Sequence, residues 1–170
     1  MTIEQVPTWV QPSHPAFIAV KTYKSGNFSK YATSATHIPA GTIIANFSTA
    51  ATPAGDKAYS SLQVSETEHI ELNSDLLYAN HSCDPNVIFD TTSWTVTAIR
   101  DIEEGEPIAF NYLSTEWEMA QAFPCECGSP KCLGEIRGAK YVPTKVLRGY
   151  FVNRHIKKML EQRDQDGAVN

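Results

Sequence analysis

Three cysteines stand close together late in the chain, in the pattern C-x-C-x4-C. They are Cys125, Cys127 and Cys132, and the segment around them is rich in glycine and proline. In structural sites Zn²⁺ takes four tetrahedral ligands, and thiolates are among those it prefers. The chain has four cysteines in all, and the fourth is Cys83, far upstream. Count and spacing together predict a structural zinc held by four thiolates.

Other interpretations of the cysteines stay open. Free buried cysteines are common and need no metal. A redox pair is favoured less, because C-x-C lacks the C-x-x-C spacing of helix-borne redox motifs. A catalytic zinc is also disfavoured, since four thiolates leave no open coordination position. A bound metal would further stabilise the loop, which has too little apolar periodicity to form a core by itself.

The composition is that of one ordinary globular domain. The 170 residues are 42% hydrophobic and 19% charged, with a formal charge of -5. Nucleic acids and anionic lipids are bound by clustered Lys and Arg, so neither nucleic acid nor membrane is expected as a direct partner. The sequence has no recognisable secretion signal and no stretch of ~20 apolar residues. We therefore expect an intracellular location, in cytoplasm or nucleus, and reduced thiols.

Short β-type runs dominate the chain before the cysteine loop. They are FIAV, TIIANF, SWTVTAI and PIAFNY, separated by turn signals such as Pro39-Ala40-Gly41. Many short strands predict a mostly β core. Near the C-terminus, an apolar stripe predicts a helix that begins near Pro143-Thr144. The expected organisation is an irregular arm, a β domain, the cysteine loop, and a helix with a tail, over residues 1–15, 16–122, 123–138 and 139–170.

Three motifs give the chain a resemblance to a known family. The string from Asn80 to Asn86, NHSCDPN, resembles the signature of SET-domain lysine methyltransferases. The string from Gly105 to Tyr112, GEPIAFNY, is similar to their G-E-E-L-T-F-D-Y motif, and the cysteine loop is similar to the post-SET zinc loop. The resemblance implies a SET fold of small curved β-sheets. It also implies a knot-like crossing where the two strings meet, and it places Cys83 as the fourth zinc ligand.

The same resemblance implies a cofactor and site residues. S-adenosylmethionine would be the methyl donor, and Tyr112 corresponds to the catalytic tyrosine at the point of transfer. Asn80 and His81 correspond to residues that hold the adenosyl end of the donor. The family's G-x-G donor loop falls on residues that lack both glycines, so either Ser29, Lys30 and Tyr31 form a remodelled donor loop or donor binding is weakened.

Three aromatic residues are candidates for binding the substrate. Phe110 matches the position where Phe or Tyr governs how many methyl groups fit. The absence of a hydroxyl there favours di- or trimethylation, although a plain core phenylalanine is an equal alternative. Tyr59, in the short insert, is a candidate to face the substrate. Trp117 follows the tyrosine motif and is a candidate to line the channel or the cofactor pocket, with a packing role favoured at least as much.

The leading functional hypothesis is a methyltransferase that modifies the side-chain amine of a lysine in a protein, with a basic peptide such as a histone tail as partner. Departures from the family pattern keep two alternatives open. Asn111 replaces the usual Asp, and Pro107 and Ala109 replace Glu and Thr. The chain could be a SET fold that acts on a small molecule in a biosynthetic pathway, or a zinc-stabilised binding module without catalysis.

Overall fold

The computed structural model describes residues 7–23 and 30–168, and in them the strands are short and form five small sheets. The strands are β1 (Ile18–Thr22), β2 (Lys30–Ser34), β3 (Ile43–Asn46), β4 (Thr52–Pro53), β5 (Leu62–Gln63), β6 (His69–Glu71), β7 (Asn80–His81), β8 (Val87–Asp90), β9 (Thr95–Ala98), β10 (Ala109–Phe110), β11 (Phe123–Pro124) and β12 (Glu135–Ile136). The helices are α1 (Thr144–Leu147) and α2 (Arg154–Ala168), and 3₁₀ turns lie at Asp75–Tyr78, Tyr112–Ser114 and Ala139–Tyr141. The prediction of a mostly β protein is confirmed.

All the sheets are antiparallel except one. The antiparallel sheets have the strand orders β1-β2, β3-β9-β8, β4-β6-β5 and β11-β12. Strands β7 and β10 instead pair in parallel. A parallel pair cannot be closed by a tight turn and needs a long connection. Here the connection contains β8 and β9, so two segments distant in sequence come to lie side by side.

The first hydrophobic core is packed between these sheets. Strand β9 shows how it forms, because side chains along a strand point alternately to opposite faces of the sheet. In β9, Val96 and Ala98 are buried, and the two threonines are half-buried. Phe47 and Phe89 are 1% and 0% exposed, and their ring centroids lie 5.9 Å apart. Aromatic pairs at this separation add to the free energy of burial. The β7–β10 pair packs on this core, of which Phe110 of β10 is a member.

A second core lies under the cysteine loop and is closed by the C-terminal helices. Its buried members are Cys83, Leu113, Ile136, Ala139, Leu147, Val152, Ile156 and Leu160. The loop therefore rests on apolar residues from other parts of the chain, as expected for a segment without its own core. No helix of residues 7–23 and 30–168 combines the length and the apolar character needed to cross a bilayer.

The prediction of one continuous C-terminal helix is wrong. Helix α1 ends at Leu147, and α2 begins only at Arg154. Between them, the hydroxyl of Tyr150 donates to the carbonyl oxygen of Cys83 at 2.9 Å. Asn153 is 1% exposed, and its amide hydrogen-bonds to strand and turn backbone. These tertiary bonds, next to the weak helix former Gly149, outweigh the local helical preference of the apolar stripe.

The described part of the N-terminal arm, residues 7–15, is irregular as expected but is held in place. Trp9 Nε1 donates to Asp75 Oδ1 at 2.9 Å, and the backbone N of Ser13 donates to Oδ2 at 2.7 Å. Burial alone would raise the pKa of Asp75, but the hydrogen bonds from Gln11, Trp9 and Ser13 outweigh it and lower the pKa. The arm is thereby attached to the 3₁₀ turn that precedes β7. The four-part division of the chain stays a prediction.

Asn153→Ala is expected to destabilise the fold by about 2–4 kcal/mol, because it removes an acceptor for Thr91 N (2.9 Å) and donors to Phe89 O (2.8 Å) and Ser114 O (2.9 Å). Denaturant titration measures this loss. The matched control is Asn46→Ala, because Asn46 Oδ1 accepts from Ser48 N at an exposed site. Equal losses in the two variants would contradict the assigned role of Asn153.

Candidate functional site

The two motif strings lie side by side through the β7–β10 pair. Asn80 is opposite Ala109, and His81 is opposite Phe110. The predicted meeting of the segments around Asn80 and Tyr112 is therefore confirmed. Every candidate residue on these strands is positioned by backbone pairing above the first core.

A buried amide holds this pair in register. Asn86, the last residue of the first motif, is 2% exposed. Its Oδ1 accepts from the backbone N of Ala109 at 2.9 Å, and its Nδ2 donates to the carbonyl oxygen of Pro107 at 2.8 Å. Its place after Asp84-Pro85 in the sequence indicates only a turn. The sequence did not predict these two hydrogen bonds of Asn86, because both partners, Ala109 and Pro107, lie in a distant segment of the chain.

Tyr112 begins a 3₁₀ turn just after β10. Its hydroxyl donates to the carbonyl oxygen of Ala79 at 3.2 Å, and its ring centroid lies 5.3 Å from that of His81 and 4.8 Å from that of Phe110. Burial raises the pKa of Tyr112, and the charge of Glu116 raises it further. The phenol therefore keeps its proton at neutral pH and donates it to the carbonyl oxygen of Ala79, while its oxygen can still accept a hydrogen bond.

The turn that carries Tyr112 is capped by Asn111. Its Oδ1 accepts from the backbone N of Leu113 at 3.0 Å. A side-chain oxygen at such a cap satisfies a backbone donor that has no partner within the turn. Asn supplies this oxygen as Asp would, so the departure from the family motif removes a charge but retains the cap.

His81 connects Tyr112 to the cysteines. Its Nδ1 lies 3.2 Å from the backbone N of Tyr112, which donates to it, and its Nε2 lies 3.3 Å from Sγ of Cys83. Since Nδ1 accepts, the neutral ring carries its proton on Nε2, which is directed at the sulfur. Burial lowers the pKa of His81 to about 4. The imidazole is therefore neutral at physiological pH, as a donor to a thiolate and an acceptor from an amide must be.

The four cysteines form one cluster. Their sulfur atoms all lie within 4.8 Å of one another, and those of Cys83 and Cys125 are 3.9 Å apart. In a tetrahedral site with Zn–S bonds near 2.3 Å the sulfurs are about 3.8 Å apart. The spacing fits Zn²⁺, and the backbone N of Leu133 also donates to Sγ of Cys83 at 3.5 Å. The cluster could hold a structural zinc and attach the loop to the buried Cys83.

A pocket opens beside Tyr112. It is lined by Ala58, Tyr59, Ser60, Ser61, Leu62, Leu72, Leu77, Ala79, Phe110, Tyr112, Glu116, Met119 and Ala120. The structure thus brings two of the three predicted substrate residues to one pocket: Phe110, which is 6% exposed, and Tyr59, which is 58% exposed. Trp117 is not among the lining residues. It packs in the second core instead, and its backbone N donates to Gln63 Oε1 at 2.8 Å.

The predicted donor-binding residues fall into two groups. Ser29 lies outside the described residues. Lys30 places its Nζ 5.7 Å from the ring centroid of Tyr78, which directly precedes Ala79 and β7. Tyr31 stacks on Tyr23, which directly follows β1, with ring centroids 4.3 Å apart. The structure therefore brings Lys30 to the β7 segment, whereas the ring of Tyr31 contacts the residue after the end of β1.

Glu116 is a buried carboxyl group in the pocket that sequence reasoning missed. It is 7% exposed, and its Oε1 accepts from the backbone N of Gln63 at 2.9 Å. Burial raises the pKa of Glu116 to about 7, against the opposing effects of the Gln63 and Thr115 hydrogen bonds and the charge of Lys57. In the sequence, the one feature that connects Glu116 to the site is its position four residues after Tyr112. This spacing does not predict burial, because acidic residues at such spacing are common on exposed turns.

Cys132→Ser is expected to reduce bound zinc from one per chain to nearly none, because three thiolates leave the tetrahedral shell incomplete. Elemental analysis measures the metal, and thermal denaturation should show a lower melting temperature. Ser129→Ala, in the same loop but without a ligand atom, is the control. Full zinc content in Cys132→Ser would contradict the four-thiolate site.

Glu116→Gln is expected to raise stability at pH 8.5 and to change it little at pH 4. The folded-state pKa of Glu116, about 7, lies above its usual value of 4.5. Folding therefore favours the protonated form, and this stability is lost as the pH rises through 7. Glutamine keeps an acceptor for Gln63 N without the charge, which is worth on the order of 2–3 kcal/mol at high pH. Melting temperatures at both pH values measure the effect, and a variant less stable at pH 8.5 would contradict it.

Comparisons with known proteins agree with this arrangement. The family description "SET domain" matches residues 29–113, which is half of the chain. Methyltransferase flvH of Aspergillus flavus is 42% identical over 160 residues, covering 92% of this chain and 88% of that protein.

Histone-modifying enzymes match over shorter stretches. The histone-lysine N-methyltransferase ash1 of Drosophila melanogaster is 33% identical over 75 residues, and the H3 lysine-36 specific enzyme of Aspergillus oryzae is 41% identical over 98 residues. These stretches cover 39% and 53% of this chain, but only 3% and 9% of those proteins. The chain thus spans a small part of the histone-modifying relatives.

Solved structures agree with the fold. The crystal structure of KRYPTONITE in complex with mCHG DNA and SAH superposes with a TM-score of 0.53 at 17% identity, over 69% of this chain and 29% of that one. A second KRYPTONITE complex, with mCHH DNA, an H3(1-15) peptide and SAH, gives a TM-score of 0.51. With the matched family description and the nearly full-length relative, the chain belongs to the SET-domain family.

Proposed function

We propose that the protein is an S-adenosylmethionine-dependent methyltransferase that acts on the side-chain amine of a lysine in a protein. The observation that carries the proposal is the position of Tyr112. Its hydroxyl lies 3.2 Å from the carbonyl oxygen of Ala79, directly before Asn80 and His81, and it lines a pocket with Phe110. The donor-binding segment and the acceptor pocket would then meet at one phenol.

The residues that would hold the donor are Asn80 and His81, on β7, and Lys30, whose Nζ lies 5.7 Å from the ring centroid of Tyr78 just before β7. The donor supplies a methyl group that is already activated on a sulfonium. Alignment of the acceptor is then the main task of the protein, and such alignment can be worth several kcal/mol. SAH is named in two KRYPTONITE complexes of the same fold, which supports this donor for the present chain.

The pocket fits the acceptor half of the reaction. A lysine amine must be neutral to act as a nucleophile, and its pKa in water is ~10.4. The apolar lining from Leu62, Leu72 and Phe110 disfavours a charged amine. The Tyr112 hydroxyl can position the nitrogen through a hydrogen bond. Phe110 brings no hydroxyl to the pocket, so we propose that more than one methyl group is accommodated.

A second candidate keeps the fold and the donor but takes a small amine in a biosynthetic pathway. It is favoured by the length of the matches: flvH, named only as a methyltransferase, matches 92% of this chain, whereas the H3 lysine-36 specific enzyme of Aspergillus oryzae matches 53%. For either candidate we propose an intracellular location, in cytoplasm or nucleus, with the protein partner of the first candidate a basic peptide such as a histone tail.

Tyr112→Phe is expected to lower methyl transfer by roughly 10²-fold, because it removes the hydroxyl that would face the reacting atoms while the ring remains packed. The assay follows labelled methyl groups from S-adenosylmethionine into recombinant histone H3 and, separately, into the proteins and the small-molecule fraction of a cell extract. Label in protein supports the first candidate, and label only in small molecules supports the second.

The control for this assay is Tyr141→Phe, because Tyr141 is 43% exposed and does not line the pocket. Its activity should equal that of the parent protein. Transfer that proceeds at full rate in Tyr112→Phe would refute the assigned role of the phenol. Absence of transfer from the parent protein to every fraction would refute the proposed activity.

A further inference from the structure

Glu116 has no part in the reaction described above, yet it lies in the same pocket as Tyr112. The two residues are joined by one turn of backbone, because Glu116 N donates to the carbonyl oxygen of Tyr112 at 2.8 Å. The side chain of Glu116 is 7% exposed. A buried carboxyl group is therefore placed in the pocket that Tyr112 also lines, among polar and apolar side chains.

The hydrogen bonds that this carboxyl group accepts, from Gln63 N and from the Thr115 side chain, do not require a charge. Glu116 Oε1 accepts from Gln63 N at 2.9 Å, and this bond connects β5 to the segment after Tyr112. A glutamine oxygen could accept the same hydrogen, without the cost of burying an ionisable group. The structural bridge thus accounts for an oxygen at this position but not for an acid.

The charged neighbours leave the carboxyl group available for a cationic ligand. The cation that acts on it is Lys57, whose Nζ is bound to the carbonyl oxygen of Glu118 at 2.9 Å. The titratable or charged side chains on the elements around the pocket are Lys57, Tyr59, His69, Glu71, Tyr112 and His155. Burial raises the pKa of Glu116 to about 7, which is in the range where a carboxylate can take up a proton at physiological pH.

We propose that Glu116 binds the substrate as an ammonium cation and takes one of its protons, leaving a neutral amine in front of Tyr112. The inference rests on the proposed function, in which the acceptor is an amine. One N–H bond breaks, its electron pair stays on nitrogen, and the proton goes to a carboxylate oxygen of Glu116. The pair is neutralised inside the pocket, so neither charge remains buried when the nitrogen becomes a nucleophile.

Proton transfer to Glu116 removes a difficulty that arises for both candidate substrates, the lysine side chain of a protein and the small amine. An alkylamine is almost entirely protonated at neutral pH, and an apolar pocket alone would reject it in that form. A buried carboxylate admits the cation by pairing with it and then accepts its proton. Glu116 is thereby a determinant of specificity for basic amines over neutral groups of the same shape.

The test compares a charged probe with an uncharged one. The probes are Nα-acetyl-lysine N-methylamide and the corresponding norleucine derivative, titrated by calorimetry into the parent protein and into Glu116→Gln, with S-adenosylhomocysteine present. At pH 8 the parent protein should bind the lysine probe at least tenfold more tightly than the norleucine probe. Glu116→Gln should lose this preference, and in the parent protein it should shrink as the pH falls below 7 and Glu116 becomes protonated.

The kinetic arm uses the lysine probe as methyl acceptor across the pH range. In the parent protein, kcat/KM should rise as the pH increases toward 7 and then level off. Glu116→Gln should lose at least tenfold at pH 8, and its rate should rise only toward the pKa of the amine. Glu116→Asp, which keeps the charge on a shorter side chain, should recover part of the activity. Glu118→Gln, two residues away and outside the pocket lining, is the matched control and should behave as the parent protein.

The outcomes separate the inference from the function on which it rests. Glu116→Gln with unchanged probe preference and pH profile would overturn the role of Glu116, even if methyl transfer occurs. Equal binding of both probes by the parent protein would overturn it as well. If the parent protein prefers the lysine probe through Glu116 but transfers no methyl group, the cation site stands and the proposed function fails.

Discussion

The site depends on one neutral imidazole held between two hydrogen bonds. His81 accepts from the backbone of Tyr112 and directs its other nitrogen at Cys83, so it belongs at once to the pocket and to the cysteine cluster. Protonation of Nδ1 breaks the bond from Tyr112, because a protonated Nδ1 cannot accept, and rotation of the ring breaks both bonds. Burial keeps the ring neutral. The parallel pair β7–β10 supplies the backbone geometry in which this one side chain can reach both partners.

Some of this arrangement was predictable from the sequence. Strand positions followed from alternation, as in β9, and the cysteine cluster followed from ligand count and spacing. The approach of Tyr112 to the Asn80–His81 segment came from a family resemblance, since no periodicity encodes a parallel pair between distant two-residue strands. Roles in binding and catalysis stay predictions for Asn80, Lys30 and Tyr59.

The rest could not be predicted for a common physical reason. Asn86, Asn153 and Glu116 are buried polar residues whose partners lie far away in sequence, so nothing next to them in the chain marks them out. The same cause explains the incorrect helix prediction, because bonds made by Asn153 and Tyr150 interrupt an apolar stripe that is locally helical. Buried polar groups are costly unless paired, and their partners become visible only in three dimensions.

The hydrogen bond from Tyr150 to the carbonyl oxygen of Cys83 has a consequence for engineering. Through this bond, the stretch between α1 and α2 holds the backbone of a candidate metal ligand in place, and Ile136 and Leu147 pack in the same core as Cys83. The cysteine loop therefore depends on residues outside it. A loop grafted from a relative would fold correctly only if the stretch between α1 and α2 and these core residues were transferred with it.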